Sequence, residues 1–253
     1  MLTDTRHQRI LDLLEANGDL RVPELTEYLG VSEATVRRDL VKLAQAGYVQ
    51  RTYGGAALVK EAEPEPPIII RTKENTAEKQ RIAKAAAALV KDDESVFIGS
   101  GTTALEVARN LSGRKNLTVI TNALTVVNLF AREEGISVIV AGGLLRNAEL
   151  SFLGHITAET LRQLRPQKIF MGIRAISLEA GLTSDYLPEV TTDRAIIESS
   201  PEVILVADHT KFGRVSPAFV APVTSVTRIV TDDQTPPGTV ARLRELGIDV
   251  IVC

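Results

Sequence analysis

The chain has 253 residues, of which 44% are hydrophobic and 24% charged, a composition typical of a globular protein long enough for two domains. No apolar run approaches the roughly 18 residues that cross a bilayer, and the opening MLTDTRHQR lacks the apolar core of a signal peptide. We therefore expect a cytoplasmic protein with no membrane partner. The single cysteine, Cys253, excludes a disulfide framework and a cysteine-based zinc cluster.

The net charge of −3 is a poor guide to the partner, because the charge is unevenly distributed. Residues 1–31 carry three basic and six acidic side chains, whereas residues 32–60 carry five basic and two acidic ones. The positive charge thus coincides with the segment 31–56, whose pattern predicts a helix followed by a β-hairpin. Such a basic segment is where a polyanion is expected to bind.

Two short helices are predicted before that segment. The first covers residues 4–16, where isoleucine and leucine recur at helical spacing. The second covers residues 23–29, because Pro23 suits a first helical turn and Gly30 can end the helix. The tight spacing predicts a helix-turn-helix.

The third helix begins after Ser32, whose hydroxyl can accept an amide hydrogen of the first turn. Val36, Leu40 and Leu43 recur at four- and three-residue spacing and form its predicted buried stripe. Polar and guanidinium groups in the first turns of such a helix enter the DNA major groove, where arginine can form two hydrogen bonds with guanine. The candidate DNA-binding residues of this helix are Ser32, Glu33, Thr35, Arg37 and Arg38.

A β-wing is predicted after this helix, which ends at Gly47. Residues 48–50 read as a short strand, and residues 52–55 as the tip, because paired glycines permit a tight hairpin turn. Arg51 at that tip is expected to reach a phosphate or the minor groove. The wing adds Arg51, Tyr53 and Gly54 to the candidate DNA-binding residues.

The run VPELTEYLGVSEATVRRDL and the wing R-x-x-GGA, after an arginine-rich opening helix, resemble the N-terminal winged helix-turn-helix of the DeoR family of bacterial regulators. The resemblance implies binding to double-stranded operator DNA. The alternative is an amphipathic helix pair that only packs on the rest of the chain. That alternative gives no reason for Arg37, Arg38 and the pair Gly54-Gly55 at these offsets.

The segment KEAEPEPP at residues 60–67 is rich in proline and charge and has nothing to bury. We therefore place a linker at residues 59–72, between a DNA-binding domain at 1–58 and a sensor domain at 73–253. The three isoleucines at residues 68–70 are interpreted as a short strand.

The sensor domain alternates between apolar runs and helices. Strands are predicted at residues 95–99, 117–121, 137–141, 168–173, 203–208, 228–232 and 249–253. Helices are predicted at residues 76–91, 103–110, 123–132, 157–164, 192–199 and 239–246. This pattern predicts an α/β, Rossmann-like fold with a mainly parallel sheet covered on both faces, whose ligands bind beyond the carboxyl ends of the strands.

Glycine and small hydroxyl residues follow several of these strands, and a lysine follows the fifth. Amides and hydroxyls at a helix N-terminus bind anions, and lysine adds a mobile positive charge. Together they predict a site for a phosphorylated polyol; taken singly, they equally suit a helix cap, a tight turn and a solvated lysine. The candidate effector-binding residues are Ser100, Gly101, Thr102, Thr103, Thr121, Asn122, Gly142, Gly143 and Lys211.

The motifs FIGSGTT, TVITN, AGG, SFLGH, GLTS and ADHTKFG, in this order and spacing, resemble the C-terminal sensor domain of the DeoR family, which is related to ribose-5-phosphate isomerase. The resemblance extends over nearly the whole chain. It implies that the candidate residues bind the effector, and it adds Arg71 and Lys79 as further candidates.

A sugar-phosphate isomerase with a helical appendage is the alternative function. In the related isomerases the chemistry depends on a D-G-A-D-E stretch and a downstream E-K pair. Here residues 171–175 read MGIRA, without a carboxylate, and Asp193 stands in place of the lysine. Arg174 and Asp193 also depart from the aspartate and lysine frequent in the sensor family, so the identity of the sugar stays open.

The sequence therefore predicts a repressor of a carbohydrate-metabolism operon that is released from its operator by a phosphorylated sugar or polyol. We expect no catalytic residues, no cofactor and no metal, since His7, His155 and His209 lack metal-ligand spacing. Helix-turn-helix proteins usually bind paired half-sites as dimers, which predicts a homo-oligomer, a dimer or tetramer. A further alternative is a regulator with an empty pocket that responds to a protein partner.

Overall fold

In the computed structural model the chain divides into two compact units, Met1–Glu61 and Ala62–Cys253. The structure describes residues 3–17, 19–45, 48–52, 54–58, 60–61 and 67–253. A small helical unit with a β-hairpin precedes a larger α/β unit, which confirms the predicted fold class. The placement of a linker at residues 59–72 stays a prediction.

The first unit, in its described part, combines helices with a small antiparallel sheet. The helices are α1 (Thr3–Asn17), α2 (Val22–Leu29) and α3 (Glu33–Gln45), and the strands are β1 (Leu20–Arg21), β2 (Val49–Thr52), β3 (Gly55–Leu58) and β4 (Lys60–Glu61). The sheet has the order β1-β3-β2. Its core is apolar and includes Ile10, Leu14, Leu25, Val36, Leu40 and Val49.

Two adjacent glycines serve different purposes in the hairpin. Thr52 pairs with Gly55, and Gly54 has a φ of +83°, which favours glycine. Gly55 itself lies in β3, where a Cβ atom would stand 2.1 Å from the carbonyl oxygen of Leu20. Gly54 therefore supplies the turn, and Gly55 permits the close approach of strand β1.

The second unit is built around a parallel sheet of seven strands in the order β17-β16-β13-β10-β5-β6-β7. These strands are β5 (Ser95–Ile98), β6 (Leu117–Thr121), β7 (Ile136–Val140), β10 (Lys168–Met171), β13 (Val203–Val206), β16 (Arg228–Thr231) and β17 (Asp249–Val252). Every predicted strand of the sensor domain from residue 95 onward coincides with one of them. Valine and isoleucine runs identified them, because both faces of the inner strands are buried. The edge strands are partly exposed, as at Ile139, Val140 and Val252.

Helices cover both faces of this sheet. One apolar cluster joins it to α5 (Thr76–Ala87), α6 (Thr102–Arg109) and α7 (Leu124–Phe130). The other joins it to α8 (His155–Arg162), α9 (Val190–Glu198) and α10 (Pro237–Glu245). Along β5, Val96 and Ile98 belong to the first cluster and Phe97 to the second, as the period of a strand requires.

The prediction of a strand at residues 68–70 is wrong, because these residues open a short helix, α4 (Ile68–Arg71). The carbonyl of Pro67 accepts hydrogen bonds from the amides of Ile70 and Arg71. Only Ile68 is buried, whereas Ile69 and Ile70 are exposed. A local turn after proline thus overrides the strand preference of isoleucine.

The structure also contains short strands that the sequence did not predict. They are the hairpin β8 (Leu144–Arg146) and β9 (Ser151–Leu153), the antiparallel sheet β11 (Ala175–Ser177), β12 (Gly181–Ser184) and β15 (Ala218–Ala221), and β14 (Arg214–Val215). These strands have two to four residues each. Single 3₁₀ turns lie at Leu187–Glu189, His209–Lys211 and Val223–Ser225.

Candidate functional site

Helix α3 presents a polar and basic surface opposite its buried stripe. Arg37 and Arg38 are both exposed, and Arg37 Nη2 lies 3.3 Å from Glu33 Oε2 one turn earlier. Ser32 precedes the helix, and its Oγ accepts a hydrogen bond of 3.4 Å from the amide of Thr35. The predicted cap is therefore present, and the five candidate residues share the N-terminal part of α3. Their contact with DNA stays a prediction.

The wing differs in two respects from its prediction. Arg51 lies within strand β2, where it pairs with Ala56, and not at the tip of the hairpin. The prediction of a tip over residues 52–55 is too long, because Thr52 and Gly55 already pair with each other. Gly54 is exposed in the turn, whereas Tyr53 lies outside the described residues.

A buried aspartate that the sequence did not single out holds α3 against α1. Asp39 is 3% exposed, and its carboxylate binds Arg6 Nε at 2.5 Å, Arg6 Nη2 at 3.1 Å and His7 Nε2 at 3.1 Å. Burial favours the neutral carboxyl, but the hydrogen bonds from Arg6 and His7 outweigh burial and lower the pKa of Asp39. Arg6 of α1 thus orients α3.

The lowered pKa of Asp39 predicts that the first unit loosens in acid. The stabilisation by the Asp39 carboxylate is complete above the unfolded-state aspartate pKa of about 3.9 and is lost as the pH falls through the lower folded-state value. We expect hydrogen exchange of the α3 amides, corrected for intrinsic rates, to accelerate over that range. In Asp39→Asn, the α3 amides should already exchange rapidly at neutral pH, and their exchange rate should depend little on pH. Parallel profiles for the two proteins would contradict the assignment.

In the second unit a polar cleft lies at the carboxyl ends of three adjacent strands, β5, β10 and β13. Its lining includes Ser100 after β5, Gly172 and Arg174 after β10, and Asp208 and Lys211 after β13. The cleft encloses about 820 Å³, including solvent at its mouth. It therefore occupies the position at which parallel α/β sheets bind ligands.

The N-terminus of helix α6 forms one wall of the cleft. The lining contains Ser100, Gly101, Thr102 and Thr103, so the predicted loop lies at the site. Gly101 precedes the helix with a φ of +107° and a ψ of +157°, a conformation that side chains rarely adopt. First-turn amides of a helix have no intrahelical acceptor, and the helix dipole favours an anion near them.

Two lysines bring positive charge to the same cleft. Lys79 is 5% exposed, and its Nζ donates to the carbonyls of Arg71 at 2.7 Å and Glu74 at 2.6 Å. An ammonium has three donors, so one N–H of Lys79 has no acceptor among the described residues. Burial lowers the pKa of Lys79, and the charges of Lys211 and Arg71 lower it further, against the opposing effect of Asp208 and Glu74. A bound anion would relieve this crowding of like charges.

Buried ion pairs also line the cleft, and the sequence predicted none of them. They are Arg71 Nη2–Glu149 Oε1 at 2.5 Å, Arg146 Nη1–Glu189 Oε2 at 2.5 Å and Arg174 Nε–Asp185 Oδ2 at 3.5 Å. In the first two pairs the partners are 78 and 43 residues apart in sequence. Glu189 is thus a buried partner of arginine.

The structure does not bring Thr121, Asn122, Gly142 and Gly143 to the lining of the cleft. Thr121 Oγ1 donates to the carbonyl of Ile98, and Asn122 Nδ2 donates to the carbonyl of Phe152. The carbonyl of Gly142 accepts from Thr157 Oγ1, and a Cβ atom on Gly143 would stand 2.2 Å from the same hydroxyl oxygen. These four residues lie at the carboxyl ends of strands β6 and β7 and make structural contacts there.

The loop after β13 holds Lys211 in place. Asp208 accepts hydrogen bonds from the amide and hydroxyl of Thr210, and the Lys211 amide donates to the Asp208 carbonyl. Asp208 therefore caps the turn. His209 Nδ1 lies 2.9 Å from Asp232 Oδ1. Over the described ranges, no cluster of histidine, cysteine and acidic residues suits a metal ion.

No helix in the described part of the chain is both long and apolar enough to cross a bilayer.

The chain matches two family models, the DeoR-like helix-turn-helix domain over residues 6–62 and the DeoR C terminal sensor domain over residues 74–233. It is 38% identical to the transcriptional repressor AccR of Agrobacterium fabrum, over 92% of this chain and 91% of that protein. It is 35% identical to the glycerol-3-phosphate regulon repressor of Escherichia coli K12, over 98% of both chains. It is 32% identical to a putative aga operon transcriptional repressor of Escherichia coli O157:H7, over 99% of this chain and 94% of that protein.

Among solved structures, the chain is similar to ribose 5-phosphate isomerase A of Methanocaldococcus jannaschii, with a TM-score of 0.41 and 19% identity over 55% of each chain. The matched domains and full-length relatives, by contrast, cover both units. The chain therefore belongs to the DeoR family of transcriptional regulators, with an N-terminal helix-turn-helix domain and a C-terminal sensor domain.

Proposed function

We propose that this protein represses a carbohydrate-metabolism operon and leaves its operator when a phosphorylated sugar or polyol fills the cleft of the second unit. The observation that carries the proposal is the convergence of the α6 N-terminus with Lys79 and Lys211 on one cleft. Amides, hydroxyls and ammonium groups together suit a phosphate. The relatives named as repressors of a glycerol-3-phosphate regulon and of an aga operon support the same class of effector.

For the DNA contact, we propose that α3 lies in the major groove and that the β2-β3 hairpin contacts the sugar–phosphate backbone of the DNA. Arg37 and Arg38 are exposed near the start of α3, where recognition helices read bases. Arg51, Tyr53 and Gly54 belong to the hairpin segment in sequence. A protein that binds operator DNA acts where the chromosome is, so we propose a cytoplasmic location.

On the effector side, we propose that the phosphate binds to Ser100, Gly101, Thr102 and Thr103, with Lys211 and the remaining N–H of Lys79 as charged donors. Arg71 is engaged with Glu149 and contributes its carbonyl to the positioning of Lys79. Thr121, Asn122, Gly142 and Gly143 are proposed to support the site from outside its lining.

We propose binding without turnover. An isomerase needs a carboxylate base beside the sugar carbonyl. The segment after β10 that lines the cleft, Gly172 to Arg174, offers none, and Glu149, Asp185 and Glu189 are each paired with an arginine. Of the other lining aspartates, Asp208 is engaged in the cap of its turn, and burial raises the pKa of Asp193, which favours the neutral acid over a carboxylate base. The named relatives are repressors, which supports the same conclusion.

We also propose that the protein works as a homo-oligomer, a dimer or a tetramer, because helix-turn-helix regulators usually bind two half-sites related by symmetry. Sedimentation equilibrium with and without operator DNA measures this directly.

The proposal is tested by a fluorescence-anisotropy titration of the protein onto the DNA upstream of its own gene, at fixed salt, with and without a panel of sugar and polyol phosphates. Specific binding that one compound reverses is the expected result. Binding that no compound changes would overturn the effector assignment, and a lack of preference over random DNA at every salt concentration would overturn the repressor assignment. Turnover of any panel compound would favour the isomerase alternative.

A further inference from the structure

Two sets of charged groups in the cleft come from different parts of the fold, one from residues 71–79 and the loop after β13, the other from β8 and residues 189–193. The groups that act electrostatically on Lys79 are Arg71, Glu74, Asp208 and Lys211. Those that act on Asp193 are Glu189 and Arg146. No residue belongs to both sets, although all of them line the cleft. The cleft therefore has a basic region beside α6 and a second region, around Asp193, with a different chemistry.

Around Asp193 the neighbouring charges are already satisfied. Arg146 Nη1 binds Glu189 Oε2 at 2.5 Å, and Glu189 Oε1 accepts a hydrogen bond of 3.2 Å from Ser151 Oγ. Asp193 itself has no hydrogen-bond or ion-pair partner in the described residues. A carboxyl group that lines a cleft without a partner has its polar oxygens available to a ligand.

Helix α9 holds Asp193 in a fixed position. The hydroxyl of Thr192 accepts a hydrogen bond of 3.0 Å from the amide of Gly154, and Thr192 is fully buried. Arg194 Nε donates to the carbonyl of Val220 at 2.9 Å. The residues on either side of Asp193 are thus tied to other elements, so the helix cannot rotate freely to remove this carboxyl from the cleft.

The state of the carboxyl follows from the same surroundings. Burial and the charge of Glu189 raise the pKa of Asp193 well above its usual range, against the opposing charge of Arg146. A protonated carboxyl donates one hydrogen bond and accepts others, which matches a hydroxyl group. A second anion placed there would be repelled by Glu189, and by Asp193 as well whenever Asp193 is ionised.

We propose that Asp193 selects the end of the effector remote from its phosphate, accepting an uncharged end that bears hydroxyls and excluding an end that carries a second negative charge. The inference rests on the proposed effector function of the cleft and extends it. It assigns the effector to the sugar or polyol monophosphates and excludes sugar-acid phosphates and bisphosphates.

The test compares matched ligands of equal length on the full chain by isothermal titration calorimetry. The pairs are glycerol 3-phosphate with 3-phosphoglycerate, and glucitol 6-phosphate with 6-phosphogluconate; inorganic phosphate reports on the basic region alone. The proteins are the wild type, Asp193→Asn, Asp193→Lys and the control Glu198→Gln. Glu198 is an exposed acid on the same helix and lies outside the cleft lining, so Glu198→Gln makes the same acid-to-amide change without touching the site.

In whichever ligand pair binds more tightly, we expect the wild type and Glu198→Gln to bind the polyol phosphate at least tenfold more tightly than the matching sugar-acid phosphate. Asp193→Asn should reduce this preference at least threefold, and Asp193→Lys should reverse it. Binding of inorganic phosphate should differ by less than twofold among the four proteins.

The same preference in all four proteins would overturn the inference and leave the effector function intact. Equal binding of both members of each pair by the wild type would do the same. If no sugar phosphate and no inorganic phosphate bound to any of the proteins, the proposed effector function itself would be overturned.

Discussion

Replacing Arg37 or Arg38 by alanine should weaken operator binding by about 1 to 3 kcal/mol, or roughly 5- to 150-fold, the usual contribution of a bidentate arginine–guanine contact. Both side chains are exposed near the start of α3, so their removal opens no cavity in the core. Arg37 has only an exposed pair with Glu33 to lose, which contributes little to stability. The expected loss therefore reports on DNA contact, and effector binding should be unchanged.

Lys42 provides the matched control, because it is exposed on the same helix but lies in its last turn. Lys42→Ala removes the same charge and should lower affinity for operator and random DNA alike, with a shallower salt dependence. The arginine variants should instead reduce the ratio of operator to random affinity. If both arginine variants kept that ratio, α3 would not be the recognition helix.

Replacing Lys211 by alanine should weaken binding of the phosphorylated effector by roughly 10- to 150-fold, the range of about 1.5 to 3 kcal/mol for a hydrogen bond to a charged group. The effector would then fail to release the DNA at concentrations that induce the wild type. Lys211 lies in the 3₁₀ turn after β13, whose backbone is held by Asp208, so its removal leaves the loop in place. Operator affinity without effector should match that of the wild type.

Lys84 is the control for this variant, since it is an exposed lysine of α5 outside the cleft lining. Lys84→Ala should bind effector as the wild type does, and Lys211→Arg should recover part of the loss because it restores the charge. Normal induction of Lys211→Ala would place the phosphate elsewhere.

The parallel sheet was predictable because its inner strands are apolar runs buried on both faces, as in Val203–Val206. The short strands β11, β12 and β15 were not, because their burial depends on pairings such as Leu182 with Ala221, far apart in sequence. The strand predicted at residues 68–70 was wrong because the apolar run there is not buried in a sheet. There the turn after Pro67 determines the backbone, and two of the three isoleucines are exposed.

The candidate cleft was only partly predictable, because sequence gives strand ends but not the order of strands in the sheet. Ser100 and Lys211 follow β5 and β13, which flank β10, and both line the cleft. Thr121 is the last residue of β6, on the far side of β5, and lies outside the lining. Arg71 and Glu149 are 78 residues apart in sequence, and no local sequence pattern predicts their contact.

The central claim is that filling the cleft and binding the operator oppose each other within one protein. Linkage requires the opposition to be reciprocal, so the most direct test measures the effector dissociation constant for the free protein and for the protein saturated with operator DNA. The effector found by anisotropy should bind the DNA-loaded protein more weakly by about 5- to 150-fold, the same factor by which it weakens DNA binding. An effector affinity that is identical with and without operator DNA would contradict the account.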